Sequence, residues 1–238
     1  MSFHSIGKEA FGGTVKRVPV AVSPIVKNGC ELRESLGGGW RFRLDPEDAG
    51  LNEKWYEKPS VISGEIDVPG SWQGQGHGSD GLDTLWDFNL STRVFRSTYK
   101  GTGWYRKDFA LPAGWGGKRV WLNFGGAFPT AEVWLNGIKL GEHHMPFVPF
   151  AFEITDCVRH GAENCAVVRI SEDDRLFGLS YSWMGCWSGL YRDVELTATG
   201  RRYIDSFLIY AMRAHGSPSR ACRRLQAGLR VMQAMRTV

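Results

Sequence analysis

Apolar and polar residues alternate along much of this chain, most cleanly between residues 130 and 141. Val133 and Leu135 fall on one face of an extended segment, while Glu132, Trp134 and Asn136 fall on the other. Asn136-Gly137 then supplies two residues that tolerate positive φ, and Ile138 and Leu140 restart the alternation, which predicts a tight type I′ hairpin. The same period of two recurs elsewhere. Trp40, Phe42 and Leu44 alternate with Arg41 and Arg43 after a break at Gly37-Gly38-Gly39. Val120, Leu122 and Phe124 oppose Arg119, Trp121 and Asn123. Residues 65–68, 104–109, 147–154, 165–170, 190–196 and 203–210 read as further strands, with Pro146 and Pro149 marking an edge or a bulged start. Pro69-Gly70-Ser71 is a turn that should set Trp72 on the body, and residues 45–55 hold at most one helical turn. No helical period is convincing before residue 211. About ten short strands joined by turns predict an all-β sandwich.

Two stretches escape this pattern. Residues 73–100 carry Gly74, Gly76, Gly78 and Gly81 and then Trp86-Asp87-Phe88-Asn89, and residues 171–187 carry Asp173, Asp174, Tyr181, Trp183 and Trp187. Long loops inside a compact domain are uncommon, and the ordered ones tend to be functional. Trp183 and Trp187 offer flat apolar faces on which a pyranose ring can stack, or else pack their loop onto a neighbour. Asp87 and Asn89 suit sugar hydroxyls, or equally cap turns through side-chain-to-backbone bonds. Trp40, Trp104, Trp121 and Trp134 sit in strands and are read as packing.

Composition changes the picture in three places. The net charge of +4 is misleading, because six of the 29 basic residues are arginines in residues 211–238, which hold no acid; the rest carries 23 basic against 25 acidic residues. Nothing in that body reads as a basic nucleic-acid surface. No apolar run approaches the roughly 18 residues that cross a bilayer, so no membrane partner is expected. Five cysteines (Cys30, Cys157, Cys165, Cys186, Cys222) make an odd set without CxxC spacing, read as mostly buried free thiols. His143-His144 is a poor metal site, since strand neighbours point to opposite faces, and no metal or cofactor is expected. Residues 1–16 lack an apolar export core, which leaves the compartment open with the cytoplasm slightly favoured.

Six segments in order carry a resemblance: 103–109 (GWYRKDF), 112–124 (PAGWGGKRVWLNF), 133–137 (VWLNG), 141–143 (GEH), 149–155 (PFAFEIT) and 188–194 (SGLYRDV). Together they resemble the N-terminal sugar-binding domain of glycoside hydrolase family 2, the family of β-galactosidases, β-glucuronidases and β-mannosidases. The resemblance implies a jelly-roll (galactose-binding-domain-like) sandwich at residues 30–200, preceded by an extended leader at 1–29. It also implies that residues 201–210 begin an immunoglobulin-like domain, and that a catalytic (β/α)₈ barrel follows in relatives. Family members are retaining glycosidases, whose two glutamates on the barrel need carboxyl groups roughly 5 Å apart. The chain stops at Val238, short of a barrel of roughly 250 residues, and none of its thirteen glutamates belongs to a barrel motif. By itself it is therefore expected to be non-catalytic.

The resemblance further implies that Trp86, Asp87 and Asn89 lie where this domain touches substrate. In galactosidases and glucuronidases the loop before the last motif sends an acid to the active site. Here that position is about Trp183, leaving Asp173 or Asp174 as substitutes and the sugar open. From Ala211 the text turns to Ala, Arg, Met and Gln without family likeness, which suggests a frameshifted or prematurely ended frame. A strand at 203–210 without its sheet would then invite self-association. Three functions fit: the sugar-binding scaffold of such a hydrolase, a free-standing lectin-like module, or a structural subunit for a separate catalytic chain.

Overall fold

The glycines at 37–39 divide one predicted strand into two that serve different sheets. The computed structural model describes residues 32–79, 97, 99–172 and 188–200. Leu32–Ser35 (β1) pairs with Val194–Thr199 (β10), whereas Gly38–Asp45 (β2) pairs with Gly64–Val68 (β3) and Thr102–Ala110 (β4). The remaining strands are Arg119–Phe124 (β5), Thr130–Leu135 (β6), Ile138–His143 (β7), Phe150–Glu153 (β8) and Glu163–Ser171 (β9). They form a four-stranded sheet, β1-β10-β5-β8, and a six-stranded sheet, β3-β2-β4-β9-β6-β7, antiparallel throughout. This is the all-β jelly-roll sandwich.

Alternation decides the layers. Val120, Leu122 and Phe124 of β5 meet Phe42, Tyr105, Val133, Leu135 and Val168 of the larger sheet in one buried cluster. Trp72 drops into it from the turn after β3, fully buried, with its ring against Phe42 at 5.9 Å. Truncating an aromatic this buried costs about 3–5 kcal/mol.

The outer face of the larger sheet carries a second buried cluster that a half-buried strand pattern does not announce. Trp134 stacks on Tyr56 (5.1 Å) and on Trp104 (5.5 Å), and Trp104 meets Trp55 at 5.7 Å. Arg43 closes the column 4.2 Å over the Trp55 ring. The covering segment is residues 46–62. Its first part runs as turns rather than the single helical turn read for 45–55, because Asp48 (φ 49) and Lys54 (φ 55) leave the helical region, and Pro59–Val61 form a short 3₁₀ helix. Buried Asp45 holds this segment down by accepting bonds from the Ala49 and Gly50 N–H groups and from Trp104 Nε1, each at 2.9 Å. A Cβ on Gly50 would stand 2.6 Å from the Trp104 ring, so glycine is required there.

The predicted hairpin is present: Asn136 (φ 53) and Gly137 (φ 83) both take positive φ between β6 and β7. Asn136 also ties the hairpin to its neighbours. Its Oδ1 accepts from the Cys165 N–H (3.0 Å), and its Nδ2 donates to the Cys157 carbonyl (3.1 Å) and to Asn164 Oδ1 (2.9 Å). Buried Asn164 in turn binds the Arg159 N–H and carbonyl. Cys157 and Cys165 are free and partly buried.

Two strands are shorter than the sequence suggests. β8 starts only at Phe150, because Pro149 has no N–H and the Met145 and Val148 carbonyls face His143. β10 starts only at Val194, because residues 189–193 bond to other loops: the Gly70 N–H to the Leu190 carbonyl and the Gly125 N–H to the Asp193 carbonyl. Arg192, inside the segment 190–196 read as a strand, instead lies in a bend with its guanidinium over the Tyr191 ring. The strand expected at 203–210 and the basic tail at 211–238 lie outside the described residues.

Candidate functional site

One end of the sandwich is defined by the start of β4 and β6 and the end of β9, where Thr102 and Thr130 both stand opposite Ser171. Thr130 Oγ1 donates to the Ser171 carbonyl at 2.7 Å, locking that row. Just beyond it the chain leaves both sheets, and every neighbouring segment meets here. The Glu172 N–H donates to the Gly101 carbonyl (2.9 Å), and Ser188 Oγ donates to Glu172 Oε2 (2.6 Å). The Trp72 N–H reaches the Ser188 carbonyl (3.0 Å), and Phe128 and Gly189 exchange two backbone bonds of 2.9 Å. The two long stretches read from the sequence, 73–100 and 171–187, thus have their described flanks at this end.

The first root is equally tied. Buried Ser97 sends its hydroxyl to the carbonyls of Gln73 (3.0 Å) and His77 (2.9 Å). Gln73 Nε2 donates to the Tyr99 carbonyl and Tyr99 Oη to the Thr102 carbonyl, both at 2.9 Å. Burial pushes the Tyr99 hydroxyl above its ordinary value, so it remains a protonated donor.

Charge is concentrated directly beneath, on the outer face of β9 and β6. Arg169, almost fully buried, bridges Asp48 (2.6 Å) and Glu132 (2.7 Å). Glu132 also holds Lys139; burial opposes the ammonium charge, but the Glu132 and Glu142 carboxylates outweigh it and keep Lys139 above its usual value.

The loop between β7 and β8 borders the same end. His143 Nε2 lies 2.8 Å from the Met145 carbonyl and 3.0 Å from that of Val148, and the ring stacks on Phe150 at 4.1 Å. Both partners are acceptors, so this nitrogen carries the proton. Burial lowers the His143 pKa. His144 points elsewhere, exposed and 3.4 Å from Glu142, as expected of adjacent strand residues. Tyr191 Oη donates to the Pro146 carbonyl at 2.8 Å, and exposed Phe147 leans on Phe128.

The candidates Trp86, Asp87, Asn89, Asp173, Asp174, Trp183 and Trp187 lie outside the described residues. What the structure brings together is the set of residues that root their loops. Glu172, Ser188, Gln73 and Ser97 were missed by sequence reading; only their places at the borders of unpatterned stretches could have marked them. Trp40, Trp104 and Trp134 are packing residues, as read.

The fold is a jelly-roll β-sandwich, and comparison with known proteins makes this specific. The family profile "Glycosyl hydrolases family 2, sugar binding domain" matches residues 33–200. The chain belongs to that family. It is 31% identical to a beta-glucuronidase of Paenibacillus borealis over 138 residues, covering 58% of this chain and 21% of that protein. With the beta-galactosidase BoGH2A of Bacteroides ovatus it shares 26% identity over 178 residues, 75% of this chain and 19% of the other. The solved beta-glucuronidase of an uncultured Clostridium species superposes with a TM-score of 0.62 at 26% identity, over 80% of this chain and 33% of that one. The chain thus spans about a fifth of the length of these curated relatives.

Proposed function

We propose that the end carrying both rooted segments faces carbohydrate and the remaining domains of a retaining β-glycosidase, so that this chain supplies the sugar-binding and positioning part of O-glycosyl bond hydrolysis. One observation carries the reading. The two unpatterned, aromatic- and acid-bearing stretches are anchored together, through Glu172, Gly101 and Ser188, within the region matched as a sugar-binding domain. On this reading Trp86, Asp87 and Asn89 come from one segment, and Asp173, Asp174, Trp183 and Trp187 from the other. The aromatic residues take sugar faces and the polar ones take hydroxyls. β-Glucuronides are the first ligands to test, because the P. borealis and Clostridium relatives are beta-glucuronidases; β-galactosides come second.

Calorimetric titration of the chain with β-glucuronide, β-galactoside and β-mannoside ligands tests this. Saturable heat with one of them, abolished by Asp87→Ala and by Trp183→Ala, is the expected result; no heat with any of them overturns the reading. A chromogenic β-glycoside should release no product with this chain alone, since two carboxyl groups roughly 5 Å apart are needed.

A further inference from the structure

Away from that end, on the outer face of the larger sheet, β2, β3 and β4 form an open cleft of about 570 Å³. Three consecutive residues of each strand line it (39–41, 65–67 and 106–108), with Gln75 and His77 along the β3 edge. Trp40 and Ile66 belong to the core between the sheets, so the floor there is strand backbone, and Gly39 adds no side chain to it. A Cβ built on Gly39 meets nothing within 4 Å.

Register assembles the polar groups around this strip, and Lys107 Nζ donates to the Gly39 carbonyl at 2.8 Å. Arg41 stands opposite Glu65 on one side and Arg106 on the other, and Gly39 stands opposite Asp67. Asp108, two residues past Arg106, shares its face. With Lys107, the lining holds three cations against three carboxylates. Arg41 bonds Glu65 at 2.8 Å and Arg106 bonds Asp108 at 2.7 Å. A guanidinium has five N–H donors and a carboxylate about four acceptor sites, so each pair keeps capacity for a further partner.

We propose that this cleft binds a neutral polyhydroxylated chain, an oligosaccharide segment lying across the strands over Gly39. Balanced charge offers no net attraction to an anion. Donors and acceptors alternating around the cleft match vicinal hydroxyls, each of which both donates and accepts. An open trough suits an extended ligand rather than an enclosed small one. The site is independent of the rooted end and of the reading given to it.

Amide-resolved NMR of the full chain tests it, with cellotetraose and β-1,4-galactotetraose as neutral probes and tetragalacturonate as the anionic one. Saturable shifts at residues 39–41, 65–67 and 106–108 are expected with a neutral probe and not with the uronate. Gly39→Leu, whose Cβ has nothing within 4 Å, should weaken binding at least about tenfold while the spectrum stays folded. Asp67→Asn, which keeps the shape, should weaken it less. Shifts confined to residues 99–102, 172 and 188 would report the other end and refute this site. So would an equal response to tetragalacturonate, or a titration unchanged by Gly39→Leu.

Discussion

The two ends of this sandwich are built on opposite plans. At the hairpin end the two-residue turn and its described neighbours are densely bonded: Asn136 alone bonds the Cys165 N–H, the Cys157 carbonyl and Asn164, and Asn164 closes the loop behind it. At the other end the sheet stops at Thr102, Thr130 and Ser171, and bonds among Gly101, Glu172, Ser188, Gln73 and Ser97 hold the described flanks of two long stretches of chain. The first plan fixes register. The second secures the flanks of two long stretches. Rigid scaffolds carrying variable loops are where binding residues concentrate.

The largest effect should come from the hairpin end. Asn136→Ala removes three hydrogen bonds and puts alanine at φ 53, and should lower unfolding stability by about 3 kcal/mol in urea titration. A loss below about 1 kcal/mol would break the contrast between the ends. Ser188→Ala should cost about 1–2 kcal/mol, with faster hydrogen exchange confined to the Glu172 and Trp72 amides and their neighbours. Exchange rising equally at Asn136 would show that the ends are not separable.

The smallest effect is one of pH. His143 and His77 are both held below the ordinary histidine value of 6.5, chiefly by burial. The unfolded chain therefore takes up protons first as pH falls through 6.5. Stability is full above that value and declines below it. His143→Gln should flatten the decline, measured as urea midpoints between pH 5 and 8 (about the histidine range), leaving the part that belongs to His77. A slope of the opposite sign would contradict the buried, neutral imidazole.

The difference between the ends also explains what could be read in advance. Asn136-Gly137 announces itself in two residues, because few residues tolerate two positive φ angles in succession. The inner layer follows from alternation in β2, β5 and β6. The outer aromatic layer does not, since Trp134 and Trp104 look merely outward-facing until residues 46–62, shaped by Asp45 and two positive-φ positions, lie over them. At the rooted end, sequence showed where patterning fails and which aromatic and acidic residues sit there. The roots themselves were invisible, because Glu172 and Ser188 pair across sixteen residues by tertiary contact alone. The cleft over Gly39 was equally hidden: it arises from register across three strands, not from any local motif.

The column of rings on the outer face has an optical consequence. Trp104 and Trp134, stacked 5.5 Å apart at 27°, and Trp55, tilted 55° from Trp104 at 5.7 Å, are close enough for their indole transitions to couple. The folded chain should show an exciton couplet in circular dichroism arising from this layer. Its amplitude would then track the seating of residues 46–62 separately from the melting of the core between the sheets.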